Sequence, residues 1–379
     1  DVELVRPAIP ALPELLDELD GFLTGQQIEL SGNGETRYAI ASAVAGLPRH
    51  EAARLFARCW VLQKALDVPW LRREKAARVA ERLGGALTFC DPSGAADLGG
   101  YINLKTWLRQ RKGAFGSRAA KDYGLPEPKG LLLLGPAGTG KSLTPKIIAR
   151  EWGLPLLRLD PGRLFGSLVG QSEAQTREAL EAATSCAPCV LWIDEIDRAM
   201  GSGGLDGGTS DRVVAQILTW LSEKTAPVFA VGTCNSLPKG NAGALNRKGR
   251  FDEIFFVDLP SLTERIEILT VHIKKRNREP ERYDVAGLAR AATDFGGAEL
   301  EQAVIDGLFA AYAEDRELES YDMLAAIQRT KPLAVTMSEE VAALRKWARD
   351  RTIPAGGDTS PEPPVLAPAT SPVPRRIYP

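Results

Sequence analysis

GLLLLGPAGTGKS, at residues 130–142, joins a run of four leucines to a glycine-rich loop. Gly135 to Ser142 match the pattern GxxxxGK[ST], and the residues that follow have helical spacing. Glycines let backbone N–H groups curl around an anion, and the start of the next helix carries partial positive charge. We therefore predict that Lys141 contacts the β- and γ-phosphates of a nucleotide and that Ser142 holds Mg²⁺. The alternative is a glycine-rich turn without a ligand, and the combination of strand, lysine, serine and helix argues against it.

A second apolar run, VLWI at residues 190–193, ends in Asp194 and Glu195. A near-continuous apolar strand is typical of the interior of a parallel sheet that is covered on both faces. Carboxylates at the end of such a strand lie where open α/β sheets bind their ligands. Asp194 is the candidate metal ligand, acting through the water shell, and Glu195 is the candidate base that polarises a water for attack on the γ-phosphate. The alternative, a solvated turn, is disfavoured by the preceding phosphate loop.

Composition is that of an ordinary globular protein of two or three domains, with 379 residues, 44% hydrophobic and 25% charged. A net charge of −2 gives no long-range attraction to nucleic acid or to an anionic membrane, so we expect neither as a partner. No apolar run approaches the roughly 20 residues of a membrane-spanning helix. The amino terminus lacks a signal pattern, which predicts a cytoplasmic location.

The five cysteines, an odd number at irregular spacing, argue against a secreted disulfide framework. Cys186 and Cys189 form a lone CxxC pair, and two further ligands at zinc-site spacing do not follow. A redox pair is one interpretation. We favour two small apolar side chains that enter the strand at residues 190–193.

Hydrophobic patterning divides the chain into five parts. Residues 1–90 are predicted to be a mainly helical N-terminal region, with a short strand at 2–5. Residues 91–260 alternate strands with helices, which predicts an α/β domain with a parallel sheet and helices on both faces. The predicted strands are 130–134, 155–159, 190–193, 228–233 and 254–258. Residues 261–335 are predicted as a helical lid, 336–351 as a C-terminal helix, and the proline-rich 352–379 as a disordered tail.

Further segments stand in a fixed order around the two motifs. DLGG occupies residues 97–100, VGQSE occupies 169–173, Asn235 follows the next apolar strand, and RKGRFD occupies 247–252. In this order they resemble the AAA+ ATPases, a group of P-loop NTPases, and among these the members with two arginines in an RxGR element. YGLPEPKGLLLLGPAGTGKSL, APCVLWIDEID and RKGRFDEIFFVDLPS resemble more specifically the uncharacterised AAA ATPases known as a hypothetical chloroplast reading frame in algal plastids, with bacterial relatives.

The resemblance implies roles for the matching positions. Asn235 would be the polar sensor that orients the attacking water, and Arg247 and Arg250 would be fingers that reach the nucleotide of a neighbouring subunit. Fingers that act in trans imply a homo-oligomeric ring, usually a hexamer. The other implied nucleotide contacts are the adenine clamp Leu98 and Gly99, the loop residues Gly135, Pro136, Ala137, Gly138, Thr139, Gly140, Lys141, Ser142 and Leu143, and the lid residues His272 and Ala298. Taken alone, the arginines could form surface salt bridges and the histidine could be structural.

Three positions depart from the family pattern. Leu168 stands where relatives that thread polypeptides carry an aromatic residue in the central-pore loop, so it offers less surface for gripping a chain. Pro145 removes one N–H from the helix after the loop and can clash with the carbonyl of Lys141, at a cost below the ~3 kcal/mol of a helix interior because it lies near the first turns. Asn246 replaces an apolar residue just before the first arginine finger, which affects the placement of Arg247 more than that of Arg250.

Together these observations predict a ring-forming ATPase that uses ATP and Mg²⁺, releases ADP and phosphate, and remodels an unidentified protein client. The alternative is an ATP-gated regulatory or scaffold protein whose assembly or partner binding is switched by nucleotide. The two functions differ in whether hydrolysis does mechanical work. The residues that carry the chemistry are the same in both.

Overall fold

A seven-stranded sheet organises the chain in a computed structural model that describes residues 10–30, 34–82, 85–93, 99–164, 171–200, 209–237, 247 and 249–356. The strands are β1 Leu87–Cys90, β2 Gly130–Leu134, β3 Leu156–Leu159, β4 Cys189–Ile193, β5 Val228–Cys234, β6 Glu253–Phe256 and β7 Ile353–Pro354. Their order is β1-β3-β4-β5-β2-β6-β7, and every neighbouring pair except β1 with β3 is parallel. The predicted α/β fold is confirmed, and the five predicted strands are present with ends shifted by at most two residues.

The central strands are buried on both faces, which explains their continuous apolar sequences. In β2 the side chains alternate between two cores: Leu132 and Leu134 pack with the N-terminal helices, and Leu131 and Leu133 pack against the helix at residues 102–112. Burying both faces of β2 holds the strand in place. The loop that follows therefore emerges at a defined point of the sheet edge.

The edge strand β1 lies in the part of the chain predicted to be mainly helical. It pairs antiparallel with β3, so that Leu87 stands opposite Leu159. The sheet therefore begins before the predicted domain boundary at residue 90. The short strand predicted at residues 2–5 lies outside the described residues.

The opposite edge corrects the prediction of a disordered tail from residue 352. Residues 353–356 are ordered: β7 pairs with β6, and the N–H of the fully buried Ala355 donates to the carbonyl of Phe256 at 2.8 Å. The side-chain amide of Asn103 donates to two carbonyls of this segment, at 3.0 and 2.8 Å. Backbone pairing with an open strand edge outweighs the disorder that composition predicts. Residues 357–379 lie outside the described residues.

In the described part of the chain, four helices precede the sheet and share a core with it. They are α1 Leu12–Gly25, α2 Gly34–Ala43, α3 Arg49–Gln63 and α4 Val68–Arg82. Fully buried side chains such as Leu15 and Leu55 belong to the same apolar cluster as Leu157 and Leu191 of the sheet. The N-terminal helices are therefore packed onto the sheet through a common hydrophobic core.

The helices around the sheet are α5 Ile102–Lys112, α6 Arg118–Asp122, α7 Thr144–Trp152, α8 Pro161–Leu164, α9 Gln171–Ser185, α10 Ile196–Met200 and α11 Thr209–Glu223, with a tight helical turn at Lys141–Leu143.

The lid helices are α12 Leu262–Lys274, α13 Val285–Ala291, α14 Gly297–Ala313 and α15 Ser320–Arg329, with a short turn at Pro280–Arg282. They enclose a separate core around Leu269, Leu300 and Met323. Helices α16 Leu333–Thr336 and α17 Ser338–Ala348 lead back to the sheet. Within the described part of the chain, no helix combines the length and apolarity needed to cross a membrane.

Candidate functional site

A cavity of about 370 Å³ lies where the carboxyl ends of β2, β4 and β5 meet the lid helices α12 and α14. Open α/β sheets bind ligands at such strand ends. We call its two walls the strand side and the lid side. Each name includes the side chains that lie directly behind that wall. The strand side comprises residues 135–143 with Asp194, Glu195, Thr233 and Asn235, and the lid side comprises Gly99, Gly100, Tyr101, Glu264, His272, Ala298 and Glu301.

The loop after β2 owes its shape to glycine. Gly138 and Gly140 adopt φ values of +78° and +96°, a region that L side chains rarely occupy. At Gly135 a Cβ atom would lie 1.9 Å from the carbonyl oxygen of Val257, which no larger residue could tolerate. Loops of this kind form concave surfaces of backbone N–H groups that bind anions.

Lys141 lies at the centre of this loop with only 4% of its surface exposed. Its Nζ donates hydrogen bonds to the carbonyls of Gly135 at 2.7 Å and Pro136 at 2.5 Å. Burial lowers the pKa of Lys141 to about 8, an effect that nearby acidic groups partly oppose. At neutral pH the loop therefore holds a buried cation whose bonded partners here are neutral carbonyls, which an anionic ligand would complement.

Pro145 is accommodated by the turn that precedes α7. The carbonyl of Lys141 accepts the N–H of Thr144 in the turn Lys141–Leu143, so it does not need the N–H that Pro145 lacks. Helix α7 begins at Thr144, and Pro145 occupies its first turn. The expected clash is thus avoided by a tighter turn, and Ser142 remains exposed beside the cavity.

The ends of β4 and β5 bring the predicted acidic residues into one hydrogen-bonded network. The hydroxyl of Thr233 donates to Oδ1 of Asp194 at 2.8 Å and accepts the backbone N–H of Glu195 at 2.9 Å. The side-chain amide of Asn235 donates to Oε1 of Glu195 at 2.9 Å. One threonine hydroxyl therefore joins the candidate metal ligand to the candidate base, and Asn235 orients the base.

Glu195 has an unusual backbone. Its φ of +47° lies in the left-handed region, which is uncommon for a residue with a long side chain. Such outliers persist where the surroundings hold them and often occur at functional sites. Asp197 supports the same corner, because its Oδ2 accepts the backbone N–H groups of Asn235 at 3.1 Å and Ser236 at 2.9 Å.

The lid side is attached to the loop through Tyr101. This buried side chain donates its hydroxyl to the carbonyl of Thr139 in the loop, and burial raises the pKa of its phenol. The backbone N–H of Tyr101 donates to Glu264 at 3.3 Å, and that of Gly100 donates to Glu267 at 2.7 Å. Two carboxylates of α12 thereby hold the turn that also places Gly99 at the cavity.

Helix α14 approaches the loop from the other side of the lid. The N–H of Ala298 donates to the carbonyl of Gly138 at 3.0 Å. His272 also lines the cavity, and its Nδ1 lies 3.4 Å from Oε1 of Glu301. Burial lowers the pKa of His272 below its usual value, an effect that Glu301 partly opposes. His272 is therefore predominantly neutral at pH 7 and can offer a ring nitrogen, but little charge, to a ligand.

Two of the described residues with predicted roles are not brought to the cavity. The arginines Arg247, which is exposed, and Arg250, which is half-buried, do not line it. Leu98, Leu168 and Asn246 lie outside the described residues. The buried thiols of the CxxC pair, at 186 and 189, join the core shared with the N-terminal helices, and burial raises the pKa of each.

The arrangement fits a magnesium-bound polyphosphate. The glycine-shaped loop and buried ammonium suit phosphate oxygens, while the Ser142 hydroxyl and the Asp194 carboxylate are oxygen ligands of the kind that Mg²⁺ prefers. Sequence reasoning missed Tyr101, Thr233 and Arg158, which contact the predicted residues directly. Thr233 could have been found, because parallel pairing of β4 with β5 sets it beside residue 194. Tyr101 and Arg158 carry no comparable signal.

A parallel sheet with a phosphate loop after one strand and a carboxylate pair after another defines the class of P-loop nucleotide-binding proteins. Residues 131–259 match the model of the AAA family, described as the ATPase family associated with various cellular activities. This match, with the relatives described next, confirms the predicted resemblance to the AAA+ ATPases.

Two relatives and one solved structure define the likeness further. The uncharacterized AAA domain-containing protein ycf46 of Pyropia yezoensis is 50% identical over 258 residues, 67% of this chain and 52% of the relative. That of Guillardia theta is 43% identical over 319 residues, 82% of this chain and 62% of the relative. The chain thus spans about half to three fifths of these relatives. The crystal structure of the FIGL-1 AAA domain superposes with a TM-score of 0.58 at 20% identity, covering 74% of this chain and 96% of that one, and supports the fold.

Proposed function

We propose that this protein hydrolyses ATP to ADP and phosphate at the cavity between the strand side and the lid side. The observation that carries the proposal is the position of Glu195. Its carboxylate receives a hydrogen bond from Asn235 at 2.9 Å, and both residues line the same cavity as the phosphate loop. A carboxylate fixed in this way can accept a proton from a water that attacks the γ-phosphate.

Each group on the strand side then has a defined task. Lys141 offers a buried positive charge to the β- and γ-phosphates, and the left-handed glycines shape the loop around them. Ser142 and Asp194 would hold Mg²⁺, which would supply positive charge to offset that of the phosphates. Asn235 holds the Glu195 carboxylate in place, and that carboxylate orients the attacking water.

On the lid side, Gly99 and His272 would contact the adenine ring of the nucleotide. Ala298 would stay attached to the loop beneath the phosphates. The neutral state of His272 suits a heterocycle better than a phosphate, because a neutral imidazole both donates and accepts hydrogen bonds. Leu98 is proposed to complete this contact from the segment before Gly99.

Arg247 and Arg250 are proposed to act on the nucleotide of an adjacent copy in a homo-oligomeric ring, with a hexamer as the expected size. Neither residue lines the cavity of its own chain, as a finger acting in trans requires. An arginine is always charged and can stabilise the equatorial oxygens of a phosphoryl group in transfer. The work of this ring is proposed to be the remodelling of a protein client.

The test is the substitution Glu195→Gln, which removes the base and preserves the shape of the side chain. We expect at least a roughly hundredfold loss of phosphate release with ATP affinity retained, because binding does not use the base. Glu178→Gln, an exposed glutamate on α9, is the matched control and should release phosphate as the wild type does. Undiminished phosphate release by Glu195→Gln would contradict the proposal.

A second experiment addresses the client. Glu195→Gln should accumulate in the ATP-bound form and retain its partner, so an affinity capture with this variant and ATP is compared with the same variant and ADP. Recovery of one protein only with ATP, followed by stimulation of wild-type turnover by that purified protein, supports remodelling. Identical recovery with both nucleotides argues for a scaffold role.

A further inference from the structure

Arg158 contacts the strand side without belonging to any of the predicted motifs. It lies on β3 directly opposite Trp192 of β4, and side chains two residues apart on a strand share a face. Arg158 therefore reaches diagonally to Asp194, and one of its terminal nitrogens donates to Oδ2 at 2.6 Å. Its guanidinium carbon lies 4.8 Å from the centre of the Trp192 ring. The arginine is thus held by a carboxylate at its tip and an aromatic face along its plane.

The two oxygens of Asp194 have different partners. Oδ1 accepts the neutral hydroxyl of Thr233 at 2.8 Å, and Oδ2 accepts the charged guanidinium of Arg158. Thr233 is itself buried in β5, so its hydroxyl alone can keep the carboxylate oriented. What Arg158 adds is a permanent positive charge, on a side chain that is 37% exposed, beside an aspartate that is only 8% exposed, so solvent screens this pair only in part.

We propose that Arg158 sets the magnesium affinity of the nucleotide site by sharing the Asp194 carboxylate with the metal. This inference rests on the proposed function, in which Asp194 is a metal ligand. A fixed cation on Oδ2 neutralises part of the charge that attracts Mg²⁺ and repels the metal directly. The site therefore takes magnesium mainly together with the phosphates of ATP, whose negative charge outweighs the arginine. Arg158 acts through Asp194 and is a positioning residue.

The experiment measures ATP affinity by isothermal titration calorimetry, once with saturating magnesium and once with EDTA. The dissociation constant in EDTA divided by the dissociation constant in magnesium reports the contribution of the metal. Measuring this ratio requires no turnover. Arg158→Met removes the charge and keeps a side chain that can pack on Trp192. We expect this ratio to rise about tenfold in Arg158→Met, because one repulsive charge is removed from a partly buried site. Arg158→Lys, which keeps the charge, should stay close to the wild-type ratio.

Each outcome is decisive. A rise in the ratio for Arg158→Met and not for Arg158→Lys supports the inference, and so does a matching rise in Mn²⁺ affinity, measured by electron paramagnetic resonance in the presence of ADP. An unchanged ratio, or equal weakening with magnesium and with EDTA, overturns it and leaves Arg158 a structural role. If Arg158→Met melts too early to assay, Arg158→Gln makes the same test. Wild-type protein that binds ATP in neither condition overturns the proposed function and this inference together.

Discussion

The two walls of the cavity are built in different ways. On the strand side, the groups lie in short motifs at the ends of adjacent strands, and they bond to one another: Thr233 joins Asp194 to Glu195, and Asn235 completes the set. On the lid side, the contacts join segments far apart in the chain, such as Gly100 to Glu267 of α12. Each strand-side group is therefore tied to a short motif at a strand end, while the lid side joins residues as far as 167 positions apart in the chain.

Among the residues that the structure describes, two hydrogen bonds connect these walls, and both end on carbonyls of the phosphate loop. Tyr101 donates to Thr139, and Ala298 donates to Gly138. A change in the lid would reach the phosphate loop through these bonds. We therefore expect substitutions on the strand side to abolish binding or chemistry, and substitutions at the connection to adjust affinity.

The largest effect is expected for Lys141→Ala. This variant removes the buried ammonium that the phosphates would contact, and each hydrogen bond of a charged group contributes about 1.5–3 kcal/mol. ATP and ADP should bind at least about a hundredfold more weakly, as measured by titration calorimetry. Lys112→Ala, an exposed lysine at the end of α5, is the control and should bind normally. Near-normal affinity in Lys141→Ala would show that the loop does not bind phosphate.

A smaller effect, on turnover more than on binding, is expected for Thr233→Val. The substitution keeps the shape of the side chain and removes the hydroxyl that joins Asp194 and Glu195. We expect kcat to fall about 10- to 100-fold, because the Asp194 carboxylate and the backbone of Glu195 lose their shared contact. Thr233→Ser restores the hydroxyl and should recover most of the rate in a phosphate-release assay. Equal losses in both variants would indicate a packing defect and not the loss of this bond.

The lowered pKa of Lys141 predicts a pH dependence of nucleotide binding. The free protein loses this proton near pH 8, and a bound polyphosphate stabilises the charged form, so binding above pH 8 takes up a proton. Affinity should fall about tenfold from pH 7 to pH 9. Calorimetry at pH 9 in two buffers of different ionisation enthalpy should detect uptake of nearly one proton. Nucleotide affinity that stays constant from pH 7 to pH 9 contradicts the assignment of Lys141 as the cation that contacts the phosphates.

The smallest effect is expected for Tyr101→Phe, which removes only the hydroxyl between the lid side and the loop. One neutral hydrogen bond contributes about 1 kcal/mol, so ATP affinity should fall about fivefold with kcat unchanged. Tyr123→Phe, at a tyrosine that is 84% exposed, is the matched control. A loss as large as that of Lys141→Ala would break the contrast between the two walls, because the lid side would then determine the phosphate site.

Much of the fold was accessible from the sequence, because β2 and β4 are apolar throughout and the strands alternate with helices. The edge strands were not. β1 is only four residues long and lies between helices, and β7 lies at the start of a proline-rich segment. Both form because they complete hydrogen bonds at open sheet edges, a factor that depends on their partners and not on their composition.

The same difference applies within the site. Lys141, Asp194, Glu195 and Asn235 were predicted because their chemistry is tied to a loop or to a strand end. Arg158 was missed because its role depends on the register between β3 and β4, which places it diagonal to Asp194. The roles of Arg247 and Arg250 stay predictions, since a finger in trans acts on another copy of the chain.

The amino-acid sequence by itself determined the parallel sheet, the phosphate loop and the acidic strand end, because each depends on residues that are neighbours in the chain or repeat with a fixed period. Only the tertiary structure decided which distant groups meet them: the Tyr101 hydroxyl at the loop, the Arg158 guanidinium at Asp194, and residues 353–356 at the sheet edge. Such contacts follow from packing and strand register, which no local pattern records.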